Sequence, residues 1–181
     1  MYDLLLVGAG ISAATLCACL KDRLKICVVE VRPHLGGNCH DYQAAGSFIH
    51  RYGPHVFHSR SPAVVEFLSR YTEWVPYRHR VEAEVEEGGG FRLVPFPYCR
   101  ATARVLGRSL SEAEVLEKFF HGYSRKMWGL DWERLPDVVR GRVPKETRES
   151  PDYFPGQFVA LPRHGYTRLL ENMVDGVEIL L

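Results

Sequence analysis

The feature that most limits what this chain can become is the run Leu4-Leu-Leu-Val7 followed at once by Gly8-Ala-Gly10-Ile-Ser12-Ala13. A short continuous apolar run reads as a buried strand, the glycines as a tight turn, and the Ala- and Leu-rich stretch Ile11 to Leu20 as a helix. Gly8 permits the turn, Gly10 lets a phosphate group approach the backbone, and Ala13 is small enough for close packing of helix on strand. A second β-branched run, Lys25 to Val31, carries Glu30 near its end, about 20 residues beyond Gly10, where a carboxylate can accept ribose hydroxyls. The free N–H groups and positive dipole end of the first helix suit a pyrophosphate. These spacings predict a Rossmann-like βαβ unit with Gly8, Gly10, Ser12, Ala13, Glu30 and Val31 at a dinucleotide.

The stretch after the acidic strand separates flavin from nicotinamide. Arg32 is succeeded by Gly36-Gly37-Asn38, a pattern of FAD proteins in which the backbone passes close to the dinucleotide, so FAD is the expected cofactor, with Gly37 and Asn38 beside it. The 23 basic and 22 acidic residues give a net charge of +1, which leaves no summed field to draw the chain to nucleic acid or an anionic membrane. Met1-Tyr2-Asp3 lacks a basic n-region and Leu4 to Val7 is too short for a signal core or a membrane span. The expected compartment is the cytoplasm, with no membrane partner. Five cysteines without a C-x-x-C pair suggest neither a disulfide framework nor a metal site, and Cys17, Cys19 and Cys27 read as small buried apolar residues.

The fold class expected is α/β, a Rossmann-like FAD-binding domain with a small helical and antiparallel substrate lobe, incomplete. Residues 1–75 form the FAD-binding region with its histidine loop, 76–100 an antiparallel hairpin excursion, 101–150 a shortened helical lobe with a mobile loop, and 151–181 a return into the FAD domain. Within these, Ser61-Pro62 opens a helix through Tyr71, residues 80–96 alternate around a Gly88–Gly90 turn, and a Ser111-x-x-Glu114 capping box starts a helix over Leu110 to Gly122. Five prolines between Pro136 and Pro162 predict loops over residues 129–165, with a last helix from Tyr166 to Met173 and a strand from Val177.

The motifs His50-Arg-Tyr-Gly-Pro-His55-Val-Phe57-His58, Gly122-Tyr123-Ser-Arg-Lys-Met-Trp128-Gly129, Arg142-Val-Pro144, Asp152-Tyr153-Phe154 and Gly165-Tyr166-Thr167 occur in this order. On them the chain resembles UDP-galactopyranose mutase over nearly its whole length. The resemblance implies an isomerase that interconverts UDP-galactopyranose and UDP-galactofuranose through covalent attack of N5 of reduced FAD on the anomeric carbon. It implies that His55, Val56 and Phe57 lie at the isoalloxazine, with His50 and His58 structural. Tyr123 would stack on uracil with Phe120 walling the slot and Ser124 beside it, and Trp128 would stand by sugar and flavin. Arg142 would reach the diphosphate, and Tyr153 and Phe154 would border the sugar. His55, Trp128 and Arg142 are thus the expected catalytic residues.

Family members continue well past the position of Leu181 and carry an asparagine where Pro97 stands, so the expectation is an N-terminal portion with a shortened lobe. Two other functions compete. An amine-oxidase-like FAD oxidoreductase shares the glycine motifs but has no use for Tyr123, Trp128 or Arg142. A truncated, non-catalytic remnant would bind a nucleotide or a partner without turnover. Oligomeric state is left open, a homo-oligomer included.

Overall fold

The computed structural model describes residues 1–141 and 148–181. The chain divides into two compact units, one of Met1–Tyr77 with Gly156–Leu181 and one of Arg78–Pro155.

The first unit is built on a parallel sheet. β1 (Leu4–Val7) pairs with β2 (Ile26–Val29) in register from Leu4 opposite Ile26 to Val7 opposite Val29. The α1 helix (Ile11–Leu20) links them, and its small residues let it lie close to the sheet: Ala14 and Cys17 are buried with Ile26 and Val28. A hairpin comes next, β3 (Asp41–Ala44) and β4 (Ser47–His50), turned at Ala45-Gly46 with φ of 48° and 77°. Beyond it lie β5 (Phe57–Ser59), α2 (Pro62–Ser69), with proline in its first turn where a missing N–H costs nothing, and β6 (Trp74–Pro76).

The second unit opens with a hairpin, β7 (Val81–Glu87) and β8 (Gly90–Phe96), joined by Gly88-Gly89 at φ of 63° and 80°. Its inward face, Ala83, Val85, Val94 and Phe96, packs on Tyr98, Leu106, Val115 and Phe119. Those last residues come from the stretch after Pro97, where a helix missing from the expectation appears, α3 (Arg100–Leu106). Its start is fixed by the Thr102 hydroxyl, which accepts from the Cys99 amide at 3.1 Å and donates to Pro95 O at 2.6 Å. The Ser111–Glu114 box opens α4 (Glu112–Leu116) as expected. The helix does not stop at Gly122, however. It passes through a wide π turn, Glu117–His121, into α5 (Gly122–Trp128), because Gly122 takes a helical φ of −62° and the left-handed cap falls at Gly129, φ 65°. The short helix α6 (Asp137–Arg140) precedes the undescribed residues.

The chain returns to the first unit with β9 (Phe158–Pro162), which pairs antiparallel with both β5 and β6. β6 and β9 lie in stretches where no strand was expected. Pro76 ends β6, an edge strand of the order β5-β9-β6, and Pro162 ends β9 beyond the residues that pair with β5, so neither interrupts a two-sided ladder. Helix α7 (Gly165–Met173) covers the parallel sheet with Leu169, Leu170 and Met173, and β10 (Glu178–Leu180) joins β2 in parallel, giving the order β1-β2-β10.

Among the described residues no helix is long and apolar enough to cross a membrane. Cys17 and Cys27 are buried as expected, but Cys19 is exposed, since it falls on the outward side of α1.

Candidate functional site

In the first unit, the loop between β1 and α1 is held by backbone amides. Gly8, at φ 94°, donates to Val29 O at 2.7 Å. The Ala9 amide donates to Glu30 Oε2 and the Arg32 amide to Glu30 Oε1, both at 2.8 Å. These amides, Ala9 first, hold the Glu30 carboxyl below its ordinary range. Each oxygen accepts one of these amides and keeps lone-pair capacity for a ribose hydroxyl.

The second glycine pair completes the cradle. Gly36, φ 102°, donates to Ala9 O at 2.9 Å, and a Cβ on Gly37 would lie 3.1 Å from Gly10 Cα. On Gly10 itself, by contrast, a Cβ would meet nothing within 4 Å. That is open space at the start of α1, where an incoming pyrophosphate would meet the helix amides. Asn38 accepts from Arg32 Nη1 at 3.2 Å. Ser12 and Val31 are exposed, and Ala13 is buried.

The histidine segment lies in the same unit. His55, Val56 and Phe57 line a cavity of about 520 Å³ with Ile11, Phe67 and Tyr166. The His55 amide donates to His50 Nδ1 at 2.8 Å, and His55 Nδ1 lies 2.8 Å from Gly53 O. A carbonyl only accepts, so this contact places a proton on His55 Nδ1, and in the neutral ring Nε2 is then the acceptor.

Sequence reasoning missed Asp41. Its carboxylate, on a residue only 4% exposed, accepts the first amides of α7: Tyr166 N–H at 2.6 Å and Thr167 N–H at 2.9 Å. The Thr167 hydroxyl donates to Asp41 O at 2.8 Å. A Cβ on Gly165 would sit 2.7 Å from Asp41 Oδ2, so only glycine fits there. No local signal could have revealed this, because the partners are 126 residues apart.

In the second unit, Phe120, Tyr123 and Tyr153 line a pocket of about 630 Å³ with His79, Phe96 and Lys118. Tyr123 is 58% exposed, whereas Ser124 is only 4% exposed. Ser124, expected beside Tyr123 at the uracil, is therefore buried. Trp128 is exposed at the end of α5. Phe154 stacks on His79 with ring centroids 5.6 Å apart, and Tyr153 meets Phe154 edge-on at 4.9 Å. Arg142 lies outside the described residues.

Comparisons with known proteins meet these two sets of residues. Residues 6–71 match the family described as NAD(P)-binding Rossmann-like domain, and residues 118–181 that described as UDP-galactopyranose mutase. A UDP-galactopyranose mutase from Mycoplasma genitalium is 30% identical over 218 aligned positions, covering 98% of this chain and 54% of the relative. Over nearly its whole length, the chain resembles the UDP-galactopyranose mutases.

A dTDP-fucopyranose mutase from Escherichia coli is 27% identical over 209 positions, covering 99% of this chain and 55% of the relative. The chain thus spans about half the length of the curated mutases it matches. Both alignments are longer than the 181 residues here, so the mutases carry residues inside the match that this chain lacks. An oxidoreductase of known structure from Methanosarcina mazei aligns with a TM-score of 0.55 at 15% identity, over 98% of this chain and 50% of that one. That likeness concerns the fold alone. The Rossmann-like match holds Gly8, Gly10, Glu30 and His55, and the mutase match holds Phe120, Tyr123, Trp128 and Tyr166.

Proposed function

We propose that the chain carries the cofactor- and nucleotide-binding parts of a flavin-dependent UDP-sugar mutase, with FAD on the first unit and the uridine of UDP-galactose or UDP-galactofuranose on the second. One observation carries the reading: the match to UDP-galactopyranose mutases falls on the helix that exposes Tyr123 and Trp128, in a chain that also builds the Gly10–Glu30 cradle.

The residues present fit FAD. Gly10 leaves room for the pyrophosphate, the amides opening α1 meet its charge, and Glu30 takes the adenosine ribose while remaining tied to Ala9 and Arg32. Reduced FAD, when bound, would supply a nucleophile at N5 for the anomeric carbon. His55 would present Nε2 as an acceptor, its other nitrogen being fixed by Gly53 O. Tyr123 would offer its ring face to uracil, which gives affinity without base reading. Trp128 would flank the sugar, Tyr153 and Phe154 would border it, and Arg142 would clamp the diphosphate with a guanidinium fork.

The test is conversion of UDP-galactofuranose by the purified chain loaded with FAD, monitored by chromatography with and without dithionite. The expected result is UDP-galactopyranose in the reduced sample only. A folded protein that takes up no flavin, or one that consumes oxygen without isomerising the sugar, would overturn the proposal.

A further inference from the structure

The cavity beside His55 contains a polar atom that the structure leaves without a partner. Tyr166 is 8% exposed, and its hydroxyl is buried and makes no hydrogen bond. The Phe57 amide is close enough to oppose the rise that burial imposes on the phenol's pKa, yet it falls outside hydrogen-bonding geometry. An orphaned hydroxyl is costly, and a phenylalanine would fill the same volume without that cost. The ring is also held firmly. Asp41 accepts the Tyr166 amide, and the ring meets His50 edge-on at 5.6 Å and His55 at 6.3 Å. The lining is otherwise mostly apolar, Ile11, Val56, Phe57 and Phe67 among it, with Thr15, Cys39 and His55 as the other polar side chains beside Tyr166.

We propose that Tyr166 is the polar anchor of the flavin ring system: its hydroxyl, unpaired in the ligand-free chain, hydrogen-bonds a heteroatom of the isoalloxazine seated along His55–Phe57. The inference rests on the flavin reading above and adds a residue to it.

Tyr166→Phe tests this in the whole chain, with FAD titrated by visible absorbance and thermal unfolding measured without ligand. The variant is expected to bind FAD about tenfold more weakly, the equivalent of one hydrogen bond. Its bound flavin is expected to show a displaced visible band, while the ligand-free melting temperature holds or rises. Equal affinity and an unchanged spectrum would overturn the anchor and leave the flavin reading standing. A lower melting temperature in the ligand-free variant would also overturn it, since the hydroxyl would then already be engaged by the protein. A folded wild-type chain that binds no FAD removes the flavin reading, and the anchor with it.

Discussion

The two units hold their candidate site residues by different means. In the first, the candidate cradle and its support are framed by main chain: Ala9 and Arg32 amides on Glu30, Tyr166 and Thr167 amides on Asp41, and glycine at Gly37 and Gly165, where a Cβ would intrude. In the second, side chains do the work. Glu87 is paired with both Arg108 and Lys118, Arg78 with Asp152, and the pocket is walled by aromatic faces. A site framed by backbone depends on where side chains are absent, and substitutions there act through sterics. A site framed by side chains depends on what is exposed, so substitutions at its exposed faces, such as Tyr123, change affinity and leave the fold nearly alone.

The sharpest test of that contrast is Gly165→Ala. The residue has φ 84°, and the added Cβ would press on Asp41 Oδ2 at 2.7 Å and Phe48 Cδ1 at 2.8 Å. A strained left-handed residue and an overpacked contact together should cost about 3 kcal/mol or more. Urea unfolding measures this, and a loss under about 1 kcal/mol would mean the Asp41 clasp does not constrain α7. Tyr123→Ala should do the reverse, lowering affinity for UDP by about 1–3 kcal/mol in calorimetry. Its unfolding midpoint should stay where it is, because the side chain is 58% exposed. Gly10→Ala sharpens the comparison inside the first unit. Its φ of −87° suits alanine and nothing lies within 4 Å of the new methyl, so the ligand-free fold should be unharmed. FAD binding should fall by about tenfold or more, because the methyl occupies the approach to the helix amides.

Acid should also weaken the first unit through two of its groups. Burial, with His34 stacked 3.7 Å away, lowers the His40 pKa, and the Ala9 and Arg32 amides lower that of Glu30. Both are depressed in the folded chain, so the unfolded chain takes up each proton first as pH falls. His40's contribution is complete above its ordinary value near 6.5 and is lost as pH drops through its folded value; Glu30's is complete above 4.5 and lost below it. Thermal melts between pH 7 and 5 should therefore decline, and His40→Gln should flatten that upper step while leaving the lower one in place.

How much of this was legible depended on how local the cause was. The strand, glycine turn and helix around Gly8, Gly10 and Ala13, and the place of Glu30 just after β2, could be read directly, because one βαβ unit contains them all. Asp41 could not, because its meaning depends on where α7 lands, far along the chain. Helix α3 escaped notice since its box is formed by Cys99 and Thr102, where the usual signal is serine or aspartate and then glutamate. Gly122 was mistaken for a helix end because a glycine's backbone geometry is set by its surroundings; the left-handed cap was at Gly129. Tyr123 and Ser124 are adjacent in sequence, yet one is exposed and the other buried. The sequence motif groups the two, and only the helix's orientation separates their exposure.

The smallest effect belongs to the side-chain bracing of the second unit. Glu87 receives Lys118 at 2.7 Å and Arg108 at 3.0 Å, and these cations, Lys118 first, hold its carboxyl below the ordinary range. Arg108 reaches on to Glu114 at 2.7 Å, so Glu87 ties the hairpin to the start of α4. Charges this close to solvent are strongly screened, and much of their attraction is lost when the Debye length shrinks to about 3 Å near 1 M salt. Glu87→Gln should lower the melting temperature slightly in dilute buffer and not at all in high salt. The Asp41 clasp of the first unit is buried and hydrogen-bonded, so Asp41→Asn should be equally damaging at both ionic strengths. If the two variants responded alike to salt, the distinction between a main-chain cradle and a charge-braced platform would have no energetic basis.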